Sequence, residues 1–206
     1  MNRLFPQPTY ATRHPQEIPT IIGRFEYAGR KPNDYRRALF EATYKGRSVL
    51  IKFCETYHGN AHEIVAKAGY APELFFCERL QGGVMMVIME LVSAKDASHH
   101  FGSAEKIPSD LLDDVKAAIS ILHNANLVFG DVRRPNILVK KTDNDRLRAL
   151  LIDFELVGQA DQARYPPLLN DSGEITWAAG VQPHGLMKKQ HDLDMIERLN
   201  LFVTIN

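Results

Sequence analysis

Three short segments of this sequence each join an apolar run to a polar side chain, and their order along the chain constrains the fold more than any other feature. The first segment ends in Lys52, the second carries Asp131 and Asn136 five residues apart, and the third ends in Asp153. The first and third runs are typical of buried strands, and the second joins a helical pattern to another strand. A fold that brings the three segments together would form a site with a cation, two carboxylates and an amide.

Each segment also has a simpler structural explanation. A strand lysine such as Lys52 can pack its stem and extend its ammonium to water. Asp131 and Asn136 could form a turn that bonds only to its own backbone, and Asp153 could cap the end of a strand. The chemical interpretation is that the loop holds a proton acceptor and a metal ligand, while Asp153 holds a cation at a cleft. Taken singly, the residues leave both interpretations open.

Hydrophobic periodicity predicts a β-rich first half and a helical second half. Residues 1–20 contain four prolines and no periodicity, which predicts an arm over the surface. We expect strands over residues 21–27, 37–44, 48–53, 74–80, 84–92, 137–140 and 149–152. We expect helices over residues 61–68, 109–124 and 187–203, with Ser109 capping the second. The predicted organisation is an arm at 1–20, an N-lobe at 21–92 and a C-lobe at 93–206.

The composition argues against several classes of protein. The 25 Lys and Arg balance the 25 Asp and Glu, so the chain lacks the basic surface that nucleic acids and anionic membranes require. Its two cysteines cannot form a disulfide framework or a four-cysteine metal site. The first residues contain no apolar stretch typical of a signal peptide. We therefore expect a reduced, cytoplasmic protein that binds neither nucleic acid nor membrane.

In this order, the three segments resemble the protein-kinase-like superfamily over about residues 21–199. The spacing of Asp131 and Asn136 is that of the kinase catalytic loop, and Asp153 begins an Asp-Phe-Glu sequence similar to the Asp-Phe-Gly motif. Further segments resemble the divergent kinase-like proteins of mushroom-forming fungi (basidiomycetes), namely residues 51–62, 68–79, 174–177 and 191–195. The resemblance implies an α+β, bilobal protein-kinase-like fold with a β-rich N-lobe and a short, truncated helical C-lobe.

The resemblance also implies roles for the polar residues, with ATP and Mg²⁺ as cofactors. Asp131 would be the catalytic base, and Arg133 would contact the transferred phosphate. Asn136 and Asp153 would bind Mg²⁺. Lys52 would hold the α- and β-phosphates of the nucleotide.

The adenine site and the supporting residues follow from the same resemblance. Met89 is the implied gatekeeper, and Glu90 and Val92 would offer backbone groups to adenine. The implied carboxylate partner of the nucleotide-binding lysine is Glu63, with the alternative that the preceding residue, His62, faces the cleft instead.

Several features depart from the kinase pattern. Segment 29–34 contains one glycine where kinases have a glycine-rich phosphate loop, and Phe129 and Gly130 replace the residues that usually precede the catalytic aspartate. Glu155 replaces the glycine of the Asp-Phe-Gly motif and adds a second carboxylate beside the expected metal. The chain also ends soon after the helix of Asp192, which resembles the helix that braces the catalytic loop, so Asp192 is expected to be structural.

The sequence thus predicts an ATP- and Mg²⁺-dependent phosphotransferase that transfers the γ-phosphoryl group to a hydroxyl of an unknown protein or small molecule. The first alternative is a pseudokinase that serves as a nucleotide-binding or interaction module. The second alternative is a small-molecule kinase of the aminoglycoside or choline type, which the pair Gly130-Asp131 favours.

Overall fold

The computed structural model describes residues 20–24, 38–80, 82–102, 105–170 and 175–200. The predicted arm at 1–20, apart from its last residue, and the predicted glycine-poor segment at 29–34 lie outside these ranges. The described residues form three antiparallel sheets and four α-helices.

A five-stranded sheet forms the N-terminal part of the fold. Its strands are β1 (Thr20–Arg24), β2 (Ala38–Tyr44), β3 (Arg47–Cys54), β4 (Leu74–Arg79) and β5 (Met85–Glu90), in the spatial order β1-β2-β3-β5-β4. The hairpin between β2 and β3 turns at Lys45 and Gly46, whose φ angles are 50° and 73°. Two central residues with positive φ are what the favoured two-residue hairpin turn requires. The strands predicted over residues 37–44 and 48–53 flank this turn.

The period of two along β3 sorts its side chains between the faces of this sheet. One face carries a buried apolar core made of Phe40, Ala42, Val49, Ile51, Phe53, Leu80, Met86 and Ile88. Leu50 and Lys52 lie on the other face, where their cross-strand neighbours on β5 are Met89 and Val87. The strand that completes this core therefore also turns Lys52 toward the rest of the molecule.

Helix α1 (Gly59–Lys67) connects the sheet to the helical part of the fold. It begins after His58, whose ring Nδ1 accepts the Ala61 N–H at 3.1 Å. It ends before Gly69, whose φ of 81° suits the left-handed residue that follows many helices. Its buried residues Ala61 and Val65 belong to the larger core of the helical part.

The remaining elements are helices and short strands. They are β6 (Lys95–Asp96), α2 (Ala97–His100), α3 (Ser109–Asn124), β7 (Leu127–Val128), β8 (Ile137–Lys141), β9 (Leu147–Leu151), β10 (Gly158–Gln159) and α4 (Lys189–Arg198). Strands β6, β8 and β9 form a three-stranded sheet, and β7 pairs with β10. Helix α3 packs against β9 and α4. In the part of the chain that is described, no helix is long and apolar enough to cross a membrane.

Helix α3 spans the predicted residues because its apolar positions form one buried stripe. The stripe consists of Leu111, Val115, Ala118, Ile119 and Leu122. The predicted cap is wrong, since Ser109 is the first helical residue and Pro108 occupies the N-cap position without a side-chain bond. The short elements β6, α2, β7 and β10 were not expected, because two to four residues are too few to show a period.

Candidate active site

The hairpin of β8 and β9 brings the second and third sequence segments together. β8 begins directly after Asn136, β9 ends two residues before Asp153, and antiparallel pairing sets Ile137 opposite Leu151. The Ile152 N–H donates to the Asn136 carbonyl at 3.0 Å. Because the start of one strand meets the end of its partner, Asn136 and Asp153 lie at the same end of the hairpin.

The loop that carries Asp131 is anchored by a buried carboxylate of α4. Asp192 accepts the Phe129 N–H and the Gly130 N–H, both at 2.8 Å, one on each carboxylate oxygen. The His123 Nε2 atom lies 2.9 Å from Asp192 Oδ2. Asp192 is only 1% exposed, so these partners offset the large cost of burying its charge. The structural role expected of Asp192 is confirmed.

Gly130 fits this anchored loop for a steric reason. Its φ is 81°, and a Cβ atom there would lie 2.6 Å from Met187 Cε and 3.2 Å from the Leu156 carbonyl oxygen. The first contact is with the end of a flexible side chain, but the second is with backbone. A larger residue at this position would therefore strain the turn and displace the adjacent Asp131.

Asp131 is held by charged and neutral donors from its own loop. Arg133 donates to both carboxylate oxygens, with Nη2 lying 2.7 Å from Oδ2. The Asn136 Nδ2 atom donates to the Asp131 carbonyl at 2.9 Å and to Oδ2 at 2.7 Å. Burial raises the pKa of Asp131 above its ordinary value, although the Arg133 hydrogen bonds lower it. The result is a rigid carboxylate with an increased affinity for a proton.

The amide of Asn136 uses its nitrogen in hydrogen bonds, while its oxygen has no hydrogen-bond partner among the described residues. Both hydrogen bonds of Nδ2 go to Asp131. The Oδ1 atom is buried and has no hydrogen-bond partner among the described residues. Buried acceptors are almost always paired, so such an atom indicates a site for a ligand. An amide oxygen is a suitable ligand for a hard cation such as Mg²⁺.

Lys52 extends from β3 to the segment after β9. Its Nζ atom lies 2.8 Å from Asp153 Oδ1 and also forms an ion pair with Glu155. Burial alone would lower the pKa of Lys52, but the two carboxylates outweigh this effect and raise the pKa. Lys52 is therefore a buried ammonium whose charge is fixed by two acids.

The expected partner of Lys52 on α1 is not in contact with it. Glu63 is half exposed and pairs with Lys67 at 2.7 Å, one turn along the same helix. The expected Lys52–Glu63 pair is therefore absent from the described residues, and Glu155 takes its place. The reason is the rotation of α1 about its own axis. Its buried face carries Ala61, His62 and Val65, so Glu63 lies on the outer face.

His62 packs beneath the site instead of facing the cleft. Its ring stacks on Phe154 with centroids 4.6 Å apart and an angle of 4° between the planes. Nε2 donates to the Pro72 carbonyl at 2.8 Å, which leaves Nδ1 to accept the Tyr57 hydroxyl at 2.8 Å. Phe129 contacts Phe154 edge to face, with centroids 5.4 Å apart. Burial lowers the pKa of His62 to about 4, so the ring is neutral at pH 7.

An apolar cleft lies between the five-stranded sheet and the sheet of β8 and β9. It encloses about 570 Å³ of empty space, part of it open to solvent. Its apolar lining consists of Leu39, Leu50, Pro72, Met89, Leu91, Val92, Ala94, Leu138 and Ile152, and its polar lining of Lys52, Glu90 and Asp153. Apolar surfaces of this kind suit a flat heterocycle, and Lys52 and Asp153 line the same cleft.

The expected adenine-binding residues lie along this cleft. Met89, Glu90 and Val92 all line it. The Glu90 N–H donates to the Glu73 carbonyl at 2.8 Å, and the Val92 carbonyl accepts the Ala94 N–H at 2.9 Å. The backbone groups that could serve a base are therefore the Glu90 carbonyl and the Val92 N–H.

The oxygen atoms of the described residues near Asp131 are too few to hold a cation alone, but they suit a cation that also binds the phosphates of a ligand. Within the described ranges, no group of three or more His, Cys, Asp or Glu could hold a metal ion. Mg²⁺ usually takes one or two protein oxygens together with substrate phosphates and water. The unpartnered Asn136 Oδ1 and the neighbouring Asp153 carboxylate match that requirement.

Comparison with known proteins gives a family match and structural matches. Residues 80–164 match the model of the lipopolysaccharide kinase (Kdo/WaaP) family. The kinase PK-1 of Cydia pomonella granulovirus is similar in structure, with a TM-score of 0.63 and 15% identity over 88% of this chain and 68% of the viral chain. The chain has a protein-kinase-like fold. No curated protein matches the sequence.

The family match over residues 80–164 supports phosphotransferase activity in general, and the structural match supports the kinase-like fold. The α+β architecture expected from the sequence is confirmed by the kinase-like fold. The matched region 80–164 contains Asp131, Asn136 and Asp153 and does not include Lys52.

Two features of the site were missed by reasoning from the sequence. The first is the His123 contact with Asp192, which no spacing indicated. The second is the Glu155–Lys52 ion pair, since Glu155 was interpreted only as an extra acid beside a metal. The signal available was that an acid, Glu155, follows Asp153 by two residues.

Proposed function

We propose that this protein is an ATP- and Mg²⁺-dependent phosphotransferase. The observation that carries the proposal is the unpartnered Oδ1 of Asn136, buried beside Asp131 and Asp153. A loop with a purely structural role would have paired this oxygen. The apolar cleft and the buried ammonium of Lys52 supply the remaining parts of a nucleotide site.

Each residue has a specific part in the proposed reaction. The Asp131 carboxylate orients the acceptor hydroxyl and receives its proton as the hydroxyl oxygen bonds to the γ-phosphorus and the bond to the β-γ bridging oxygen breaks. Lys52 holds the α- and β-phosphates, and Arg133, paired with Asp131, offsets charge on the transferred group. Asn136 and Asp153 hold Mg²⁺, which neutralises charge on the phosphates. Positioning and charge compensation account for most of such catalysis.

Nucleotide binding in this proposal uses the apolar cleft. Adenine lies between Leu39 and Leu138, with Met89 at the inner end. The Glu90 carbonyl accepts from the amino group of the base, and the Val92 N–H donates to its ring.

A pseudokinase is the second candidate, and the Lys52 contacts favour it. Both carboxylates that pair with Lys52 come from the metal-binding segment, and none comes from α1. A chain with this arrangement could bind nucleotide without transferring phosphate. Its function would then be interaction with a partner.

The class of acceptor is also part of the proposal. Gly130-Asp131 and the match to lipopolysaccharide kinases over residues 80–164 favour a small-molecule hydroxyl, such as that of a sugar, over a protein side chain. The balanced charge of 25 basic and 25 acidic residues gives no reason to expect nucleic acid or membrane partners. Similarity to fungal kinase-like proteins and a cytoplasmic location rest on the sequence alone.

Two measurements test this proposal. ATP with Mg²⁺ should raise the melting temperature, because a ligand at about 100 times its Kd stabilises the native state by about 2.7 kcal/mol. Asp153→Asn should weaken the response in Mg²⁺ more than in EDTA. Phosphate transfer should then be measured with peptides, sugars and amino alcohols as acceptors. No thermal shift at millimolar ATP would contradict nucleotide binding, and binding without transfer to any acceptor would favour the pseudokinase.

A further inference from the structure

Two carboxylates form ion pairs with the single ammonium of Lys52. Asp153 Oδ1 lies 2.8 Å from Nζ, and Glu155 pairs with the same atom. The Lys52 side chain is 8% exposed, that of Asp153 is 12% exposed and that of Glu155 is 35% exposed. Both acids share this one ammonium, so a further use of either acid changes how Lys52 is held.

The proposed function gives Asp153 that further use. If Asp153 binds Mg²⁺, its carboxylate becomes a weaker partner for an ammonium, because the two cations repel each other. Lys52 would lose this partner at the stage when it must reach the phosphates. Glu155 is the acid that can keep the Lys52 ammonium in place when Asp153 turns to the metal.

Hydrogen bonds connect the backbone around Glu155 to the segment that follows β3. The His58 N–H donates to the Phe154 carbonyl at 3.0 Å. The Thr56 hydroxyl donates to the Glu155 carbonyl at 3.3 Å. These bonds connect the chain after β3 to the chain after β9, so that Lys52 and Glu155 belong to one hydrogen-bonded unit.

We propose that Glu155 is the positioning residue that directs Lys52 toward the nucleotide phosphates, in the place of a glutamate from α1. This inference rests on the proposed function. Helix α1 supplies no acid to Lys52, because Glu63 pairs with Lys67 on the outer face and the buried His62 is engaged with Tyr57 and Pro72. A shift of α1 would therefore leave the Lys52–Glu155 pair intact.

The rival explanation is that Glu155 is a further Mg²⁺ ligand. The two explanations differ in how Glu155 depends on Lys52. A positioning residue loses its effect when Lys52 is removed, whereas a metal ligand keeps its effect. A double-mutant cycle separates them, because it measures whether the two substitutions act independently.

The experiment measures the affinity of the full chain for Mg²⁺-ATP and for adenosine. The variants are Lys52→Ala, Glu155→Gln, their combination, and Glu63→Gln as the matched control on α1. We expect Glu155→Gln to weaken Mg²⁺-ATP binding about tenfold, as for the loss of a hydrogen bond between charged groups. In the Lys52→Ala background the same change should alter affinity less than about twofold. Adenosine affinity, which reports a folded cleft, should stay constant throughout.

The alternative outcomes are distinct. Independent losses that multiply in the double variant would identify Glu155 as a metal ligand and overturn the inference. So would an unchanged affinity in Glu155→Gln, or a loss in Glu63→Gln. If the wild type binds adenosine but shows no gain from the phosphates of ATP, the proposed function fails, and the inference fails with it.

Discussion

The two sides of the cleft hold their functional side chains in different ways. On the helical side, Asp131 is fixed by Arg133 and Asn136, and its loop is fixed in turn by Asp192. On the sheet side, Lys52 is held by ion pairs with Asp153 and Glu155, which lie across the cleft. The helical side is organised by its own hydrogen bonds, whereas the sheet side depends on its neighbour.

This difference indicates where the chemistry is determined. A carboxylate braced by several buried hydrogen bonds keeps its geometry whether or not a ligand is present. A lysine held by ion pairs across a cleft changes partners when a phosphate or a cation arrives. We therefore expect substitutions in the Asp131 loop to affect turnover or stability, and substitutions of Lys52 or of its ion-pair partners to affect nucleotide binding.

The largest effect should come from Asp131→Asn on the helical side. A positioned general base contributes about 10²–10⁴-fold, so we expect phosphate transfer to fall about 10³-fold. The affinity for ATP should change less than about twofold, because the base acts in the transition state. Asp143→Asn, at an exposed turn, makes the same chemical change as a control. Equal transfer by wild type and Asp131→Asn would disprove the proposed mechanism.

The next effect concerns the ring of His62, at the junction between the two sides. Its pKa is about 4 in the folded protein and 6.5 when unperturbed. Between about pH 6.5 and pH 4 the unfolded chain takes up a proton that the folded chain does not, so stability falls as pH falls. The contribution of this group should reach about 3 kcal/mol.

Urea unfolding of wild type and His62→Gln at pH 7 and pH 4 tests this effect. Gln does not titrate, so the difference in unfolding free energy between the two proteins should shrink by about 3 kcal/mol at the lower pH. Lys52 also disfavours protonation of the ring, so Lys52→Ala should lessen the change. A difference that is constant with pH would mean that His62 does not stay neutral on Phe154.

On the sheet side, Lys52→Ala should weaken ATP binding about 30-fold. The estimate follows from the loss of hydrogen bonds between charged groups, and from the two carboxylates left to repel the phosphates. Adenosine has no phosphates, so its affinity should not change. Lys116→Ala, on the exposed face of α3, serves as the control for loss of a positive charge. Titration calorimetry with both ligands tests this prediction. A loss of adenosine affinity equal to the loss of ATP affinity would contradict it.

The smallest effect is steric and compares Gly130 with Gly69. Both have a φ of 81°, but a Cβ at Gly69 would meet no atom within 4 Å, whereas one at Gly130 would be crowded. Alanine at either position adds about 1–2 kcal/mol of backbone strain. Gly130→Ala should cost about 1 kcal/mol more than Gly69→Ala and also slow transfer. Chemical denaturation of the two variants gives the comparison, and equal losses would show that the turn adapts.

The sequence predicted the parts of the fold that are encoded in local periodicity. The stripe from Leu111 to Leu122 gave α3 its correct range, and the polar ends of β3 and β9 marked Lys52 and Asp153. The order of these segments was sufficient to indicate a kinase-like fold. The roles assigned to the individual site residues stay predictions until the variants are measured.

The ion pairs could not be predicted, because they depend on how elements pack. The rotation of α1 decides that Glu63 lies outside, and this rotation is set by Ala61 and Val65 in the core. Glu155 reaches Lys52 only because the β8–β9 hairpin ends beneath β3. The first fact has no local signature in the sequence, and the second is indicated only by the acid two residues after Asp153.

The unpartnered oxygen of Asn136 also bears on what selection has favoured in this chain. A buried acceptor without a donor lowers stability by about 1–3 kcal/mol. Selection for stability alone would not be expected to keep such an atom, because stabilising substitutions are easy to find. The proposed ion site would account for this cost, because a bound cation would supply the partner that Oδ1 lacks. A lineage that stopped binding nucleotide would be expected to lose this asparagine early.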